Sequence, residues 1–160
     1  MATALHDSPL GPLGLAASAR GLVELSLRGR VAPHGPEDDD AARAILDDAL
    51  RQLDEYFAGQ RRAFDVPVDV DLGDGFRGHA LRALARVPYG ATVTYGELAD
   101  LAGFPKAARA AGSACSTNPL ALFIPCHRVV PASGGIGKYG GGEDMKRALL
   151  ELEGVVEPRG

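Results

Sequence analysis

The chain is 160 residues long, with 46% hydrophobic and 24% charged residues and a formal net charge of -4. That length suits one ordinary domain or two small ones, and the composition excludes wholesale disorder. No apolar run approaches the roughly 20 residues needed to cross a bilayer. Two cysteines cannot build a disulfide framework, and the N-terminus carries no apolar signal segment, so the expected setting is the reducing cytoplasm.

The charge is unevenly placed. From Met1 to Asp74 seven arginines stand against fourteen acids, a net -7, whereas Phe76 to Gly154 carries nine Lys or Arg against six acids, a net +3. Such asymmetry suggests that only the second half meets a polyanion. On charge alone, ordinary surface variation is the simpler account.

In chain order, Leu10 to Ala17 and Leu22 to Leu27 are apolar runs on either side of Ser18-Ala19-Arg20-Gly21, a hairpin pattern. Pro33 to Asp40 reads as a proline- and acid-rich loop. Ala41, Ile45, Leu46, Leu50, Leu53 and Phe57 then recur at helical spacing over 40–57, with Gly59 as a stop. Phe64, Val66, Val68 and Val70 alternate as in a strand. This half, residues 1–72, has no catalytic or metal-binding spacing and reads as an α/β scaffold domain. Leu72 to Gly75 is the expected connector.

The second domain is expected over 76–154, with a tail at 155–160. A helix is expected from Phe76 to Val87, ended by Pro88 and Gly90. Thr94-Tyr95-Gly96-Glu97 fits a capping box at the start of a helix over 95–101. Gly103 ends that helix, Pro105 suits a first helical turn, and a second helix is expected over 107–114. Two short helices around a tight turn make a helix-turn-helix candidate. The second helix is almost all alanine, glycine and serine, with Arg109 projecting. It is a poor core builder, suited to close packing on another helix or to insertion into a DNA groove.

The stretch Ile124-Pro125-Cys126-His127-Arg128-Val129-Val130 places a thiol, an imidazole and a guanidinium between apolar flanks. A base beside Cys126 would raise its small thiolate fraction and make it a nucleophile. In an extended segment adjacent side chains point to opposite faces, so Cys126 and His127 meet only if the chain turns or a water bridges them. The imidazole then needs a third group to orient it. Met145, Leu149 and Leu152 form the apolar stripe of a C-terminal helix, and Glu153, four residues after Leu149, falls near that inward face. It is the favoured orienter. The run Ser133 to Gly142 holds six glycines and lacks the pattern of a phosphate-binding loop. It reads as a flexible loop or as a wall whose backbone approaches a planar ligand.

Asn118-Pro119, Pro125-Cys126-His127-Arg128-Val129, Gly134, Gly137, Tyr139, Gly141-Gly142, Lys146, Leu149-Leu150 and Glu153 together resemble the O6-alkylguanine-DNA alkyltransferases, or methylated-DNA–protein-cysteine methyltransferases. Pro88, Gly90, Thr94-Tyr95, Leu98-Ala99, Gly103, Pro105, Ala108-Arg109-Ala110 and Gly112 extend the match. It is strong over 76–154 and looser before, where Ser8-Pro9-Leu10-Gly11 and Leu53 to Phe57 fit. The resemblance implies a small ribonuclease H-like sheet-plus-helix domain followed by a mostly helical domain with a helix-turn-helix. It implies single-turnover, irreversible transfer of an alkyl group from O6-alkylguanine in DNA to Cys126, with O4-alkylthymine an open second substrate. His127 would be the water-linked base and Glu153 its orienter.

The implied partner is alkylated double-stranded DNA, gripped through the minor groove with the damaged base flipped out. Arg109 would fill the vacated space, and Tyr95 would lie near the flipped base and its phosphate. Asn118, supporting the segment between recognition helix and active site, and Arg128 complete the DNA-binding set. Tyr139, Gly140 and Lys146 would line the substrate pocket. No cofactor, membrane or obligatory protein partner is implied, and a monomer is expected. Leu81 stands where an aromatic is usual, and Gly140 where some members have serine. The family's N-terminal zinc needs cysteine, which this chain lacks there, so no metal site is expected. Two rival readings are a non-enzymatic lesion binder, which would lack the acceptor Cys126, and a cysteine hydrolase, which would turn over repeatedly on esters.

Overall fold

The computed structural model describes residues 1–31 and 39–155. It divides into two compact units, Met1–Asp71 and the chain from Leu72 onward.

The first unit is a three-stranded antiparallel meander, β1 (Ala2–Ser8), β2 (Gly11–Ser18) and β3 (Gly21–Ser26), with α1 (Asp40–Phe57) packed on β1 and β2. The hairpin expected around Ser18 to Gly21 is the β2–β3 turn, where Ser18 pairs with Gly21. β1 has no counterpart in the sequence reading. Its inward positions are Ala2, Ala4, His6 and Ser8, while Leu5 points outward and is 67% exposed, so its alternation does not advertise a buried face.

Helix α1 spans the expected residues and is capped by Asp39, whose Oδ1 accepts from Ala42 N at 2.7 Å. Of the expected loop before it, residues 33–38 lie outside the described residues, as do 156–160 of the tail. The strand expected over 64–70 reduces to one parallel bridge, Leu22 with Val68. Leu22 N donates to Pro67 O at 2.9 Å and Asp69 N to Leu22 O at 2.8 Å. Pro67 has no N–H to extend the ladder. The approach is so close that a Cβ on Gly21 would lie 2.7 Å from Pro67 O.

The second unit contains α2 (Phe76–Leu84), β4 (Val93–Thr94), α3 (Tyr95–Leu101), α4 (Ala108–Ser116), a 3-10 turn (Cys126–Arg128), β5 (Val129–Val130) and α5 (Glu143–Leu152). α2 ends at Leu84, before the expected Val87: Arg86 N and Val87 N donate to Ala83 O and Leu84 O in tighter turns, ahead of Pro88, which disfavours helical conformation at Val87. Leu81, the departure from an aromatic, is fully buried.

The capping box at α3 is complete: Glu97 N donates to Thr94 Oγ1 at 3.1 Å and Thr94 N to Glu97 Oε1 at 2.9 Å. α3 and α4 pack together as the helix pair. The turn between them takes two left-handed residues, Gly103 and Lys106. α4 therefore begins at Ala108, and Pro105 sits in the turn rather than in the first helical turn. β4 and β5 run parallel, pairing Val93 with Val129 and Thr94 with Val130. That short ladder sets the start of α3 beside the residues that follow Cys126-His127-Arg128.

Candidate active site

The backbone settles how Cys126 and His127 are presented. Instead of continuing as a strand, 126–128 make one 3-10 turn, with Arg128 N donating to Pro125 O at 2.9 Å. The chain does turn, one of the two possibilities left open by the sequence, yet the turn makes no direct Cys126–His127 hydrogen bond, since His127 Nδ1 has no partner. All three residues of the turn are buried.

Upstream, Asn118 shapes the approach to the turn. Its Nδ2 donates to Ile124 O at 2.7 Å, and its Oδ1 accepts from Leu120 N at 3.0 Å. Its side-chain amide also pulls the Cys126 thiol downward, toward the thiolate. Expected in the DNA-binding set, Asn118 is committed to the chain itself and positions the thiol. Between these contacts Leu122 is buried with φ 73°, a left-handed conformation rare for leucine.

Glu153 is the hub of the site. It follows α5 as its C-cap, and its side chain is completely buried. Oε2 accepts from His127 Nε2 at 2.7 Å and from Arg128 Nη2 at 2.9 Å. Oε1 accepts from Arg128 Nε at 2.8 Å and from Gly90 N at 3.2 Å. A carboxylate at a helix C-terminus opposes the dipole, and here the bidentate guanidinium compensates it.

Arg128 corrects the sequence reading. Expected among the DNA contacts, it is buried, clasps Glu153 with two nitrogens, and donates from Nη1 to Val87 O at 2.7 Å. Its guanidinium also lies 5.9 Å from the Tyr89 ring centroid, and Tyr89 Oη donates to Leu152 O at 3.0 Å. The segment 87–90 thus braces the site through Val87 O, Tyr89 and Gly90 N. The sequence takes Pro88 and Gly90 as a helix stop and as part of the family match, without a bracing role. The same two residues were the available signal.

Burial is the first cause of each shift at the centre. It pushes the Cys126 thiol up, against the Asn118 amide and the Lys146 charge, which pull it down. It pushes His127 below its ordinary value, overriding Glu153, so the neutral imidazole is favoured. With Nε2 bonded to Glu153, His127 Nδ1 is buried without a hydrogen-bond partner.

Lys146 is a second correction. Expected to line the substrate pocket, it is wholly buried, and its Nζ donates to Val129 O at 2.6 Å and Lys138 O at 3.2 Å. It ties β5 and the middle of the glycine-rich loop to α5 and so backs the wall. Gly137 makes this possible: φ is 87°, and a Cβ there would lie 2.9 Å from Pro131 Cδ and 3.4 Å from Lys146 Nζ. Burial lowers the Lys146 ammonium to about 8, with Cys126 and Cys115 opposing. Its Nζ is 6.0 Å from the Tyr95 ring centroid.

The remaining expected residues fall around this centre. Tyr95 opens α3, half-buried, its hydroxyl pushed up by burial and then by the two cysteines. Tyr139 is half-buried with its hydroxyl enclosed, and Gly140 is exposed. Arg109 is exposed on α4. The structure therefore brings Cys126, His127, Glu153, Arg128, Asn118, Lys146 and Tyr95 together, and leaves Arg109 on the surface of the helix pair.

A family model described as "6-O-methylguanine DNA methyltransferase, ribonuclease-like domain" matches residues 1–70, and one described as "6-O-methylguanine DNA methyltransferase, DNA binding domain" matches residues 75–155. The methylated-DNA–protein-cysteine methyltransferase of Mycobacterium tuberculosis is 45% identical over 151 residues, covering 92% of this chain and 88% of that protein. Its counterpart from Methanosarcina acetivorans is 41% identical over 152 residues, covering 94% and 97%. The crystal structure of Mycobacterium tuberculosis OGT in complex with DNA matches with a TM-score of 0.83 at 44% identity, covering 98% of this chain and 93% of that one.

Proposed function

The chain belongs to the 6-O-methylguanine DNA methyltransferase family, and from that premise we propose that it repairs alkylated DNA by moving the alkyl group of O6-alkylguanine onto its own Cys126. The observation that carries the choice of residue is the buried His127–Glu153 pair, joined at 2.7 Å, with His127 in the same 3-10 turn as the thiol.

The roles follow from the bonding. Glu153 holds the Nε2–H of a neutral His127, so Nδ1 is the nitrogen that can accept a proton. That proton comes from Cys126 through one bridging water. The Asn118 amide and the Lys146 charge stabilise the thiolate that remains. Its sulfur attacks the alkyl carbon, the C–O6 bond breaks, and the electron pair leaves on the guanine oxygen. The released base takes up a proton, which balances the one lost by the thiol. A thioether has no good leaving group, and so the reaction runs once per molecule.

A duplex hides the O6 substituent from a buried sulfur, so the nucleotide must leave its stack. The outward residues of α4 are mostly small and allow close approach to a groove, with Arg109 projecting to fill the vacated space. Tyr95 and the Tyr139-Gly140 edge of the glycine-rich loop face the extruded base. One protein and one duplex suffice, so the active species is a monomer.

The test is stoichiometry. With excess duplex containing O6-methylguanine, repair should plateau at one lesion per protein, and mass spectrometry should place one methyl on the peptide containing Cys126. Cys126→Ser should still bind DNA and give no product. Turnover past one equivalent, or methyl on another residue, refutes the assignment.

A further inference from the structure

Arg77 carries its charge at the wrong end of its own helix. It is the second residue of α2, where a cation opposes the helix dipole. Its guanidinium reaches instead to the far end of α4, 40 residues on, where Nε donates to Thr117 Oγ1 at 2.8 Å and Nη2 to Thr117 O at 2.6 Å. Thr117 is the C-cap of α4, whose last turn has no basic residue of its own, so Arg77 supplies the cation that this end of the dipole favours. The Thr117 hydroxyl lies 3.2 Å from both Ser113 O and Ala114 O, gives its proton there, and keeps a lone pair for Arg77.

Thr117 O and Asn118 N belong to one planar peptide group. Arg77 holds its oxygen, and Asn118 N donates to Cys115 O at 3.3 Å. With both edges of that plane pinned, the direction of the Asn118 side chain is set. Asn118 Nδ2 donates to Ile124 O at 2.7 Å, and the same oxygen accepts from Cys126 N at 2.8 Å. Hydrogen bonds therefore lead from Arg77 through Thr117, Asn118 and Ile124 to the backbone of the acceptor. We propose that Arg77 is a positioning residue for alkyl transfer, holding the Thr117–Asn118 peptide so that Asn118 keeps the Cys126 turn in its reactive geometry. The proposal rests on Cys126 being the acceptor of the alkyl group.

The fork of the guanidinium is what this place requires. Nε and Nη2 are fixed in one plane and span a hydroxyl and a carbonyl of the same residue, whereas lysine is a point charge on a flexible stem and leaves the peptide plane free to tilt. The other use for an arginine in the basic half is a contact to phosphate, but these donors are already directed into the chain. Binding and chemistry are thereby separated. The outward face of α4 meets the duplex whether or not Arg77 is in place, and the thiol is held for reaction only when it is.

The experiment compares the full-length wild type with Arg77→Met, Arg77→Lys, Thr117→Val and the Arg77→Met, Thr117→Val double variant, at a temperature where circular dichroism shows them folded. Single-turnover methyl transfer from O6-methylguanine duplex gives a maximal rate and a half-saturating duplex concentration. Iodoacetamide labelling across pH, read on the Cys126 peptide, gives the reactivity of the thiol without DNA. In Arg77→Met the maximal rate should fall by about 10- to 100-fold, the range expected when a reacting group is misplaced by up to about 1 Å. Its half-saturating concentration and salt slope should stay as in the wild type, and its labelling profile should move to higher pH as the pull of the Asn118 amide weakens. Arg77→Lys should recover part of the rate. Thr117→Val should slow transfer less than Arg77→Met, because the carbonyl bond remains, and should cost nothing further in the double variant; it also carries the test if Arg77→Met does not fold. An unchanged maximal rate with weaker binding and a shallower salt slope would make Arg77 a phosphate contact and overturn the proposal. An unmoved labelling profile, or additive losses in the double variant, would overturn it too. Failure of the wild type to methylate Cys126 would strike the functional assignment instead, and the labelling profile is read independently of it.

Discussion

Glu153→Gln changes one oxygen to an amide nitrogen at the point where four donors converge. His127 Nε2 and Arg128 Nη2 reach Oε2 at 2.7 and 2.9 Å, and Arg128 Nε and Gly90 N reach Oε1 at 2.8 and 3.2 Å. An amide keeps one accepting oxygen and turns an NH2 toward the other two donors, so two of the four bonds are lost. Hydrogen bonds to charged groups contribute about 1.5–3 kcal/mol each. Removing one partner of a buried ion pair costs about 3–5 kcal/mol, and the two routes agree on a loss of about 4 kcal/mol. Against a total stability of about 5–15 kcal/mol, that is a large fraction. Urea unfolding followed by circular dichroism should show a much lower midpoint. Under conditions where the variant is folded, duplex affinity should be near normal, because the lost contacts are internal. Methyl transfer should be slower and the Cys126 titration shifted upward, since the imidazolium that forms has lost its counter-charge. Each unit of that shift corresponds to about 1.4 kcal/mol. An unchanged midpoint together with an unchanged transfer rate would refute the hub role and return Glu153 to an ordinary helix end.

Arg109→Ala should weaken repair of duplex DNA far more than transfer from a free modified base, because a space-filling cation matters only when a base must leave its stack; equal loss on both substrates contradicts it. Arg128→Met should lower the urea midpoint and leave the salt dependence of duplex binding unchanged, whereas a shallower salt slope would mean that Arg128 reaches phosphate after all. His127 is held below its unfolded value of 6.5 by burial, so the unfolded chain binds the extra proton first. Its stabilising contribution is complete above 6.5 and is lost as pH falls from there toward the folded value. Comparing urea midpoints across that window with those of His127→Gln checks it, because the variant should lack this component of the slope.

Local signals in the sequence were read well. The Thr94 to Glu97 capping box, the bounds of α1 and the paired helices around Gly103 each depend on residues within one or two turns of each other. Glu153 was legible for the same reason, as the residue one turn after the buried Leu149. The fate of Arg128 was not. A guanidinium beside a thiol and an imidazole reads as a surface cation, and its burial depends on Glu153, 25 residues on, and Val87, 41 residues back. Lys146 misled in the same way, since its carbonyl partners come from β5 and from a loop whose close approach at Gly137 leaves no room for a Cβ. β1 escaped because its inward side chains are small or polar, and the strand over 64–70 was over-read because valine alternation outweighed a proline in its middle.

The buried charges change what the basic half can mean. Of the nine lysines and arginines between Phe76 and Gly154, Arg128 and Lys146 are enclosed, and of the six acids so is Glu153. Seven cations and five acids remain, so part of the apparent excess is interior catalytic chemistry rather than a surface for phosphate. Arg147 is further paired with Glu143, and Arg77 is tied to Thr117. A grip on DNA built this way cannot rest on a dense cationic patch. On the proposed reading it rests on fit: Ala110, Ser113 and Ser116 are the exposed small residues of α4, and Arg109 is the long exposed one beside them. Such a face has few groups able to read base edges. It suits a protein that must visit every sequence and stop only where a base leaves its stack more easily than its neighbours. Selection is then made inside the site, by the base that fits between Tyr95, the glycine-rich loop and the Cys126 sulfur.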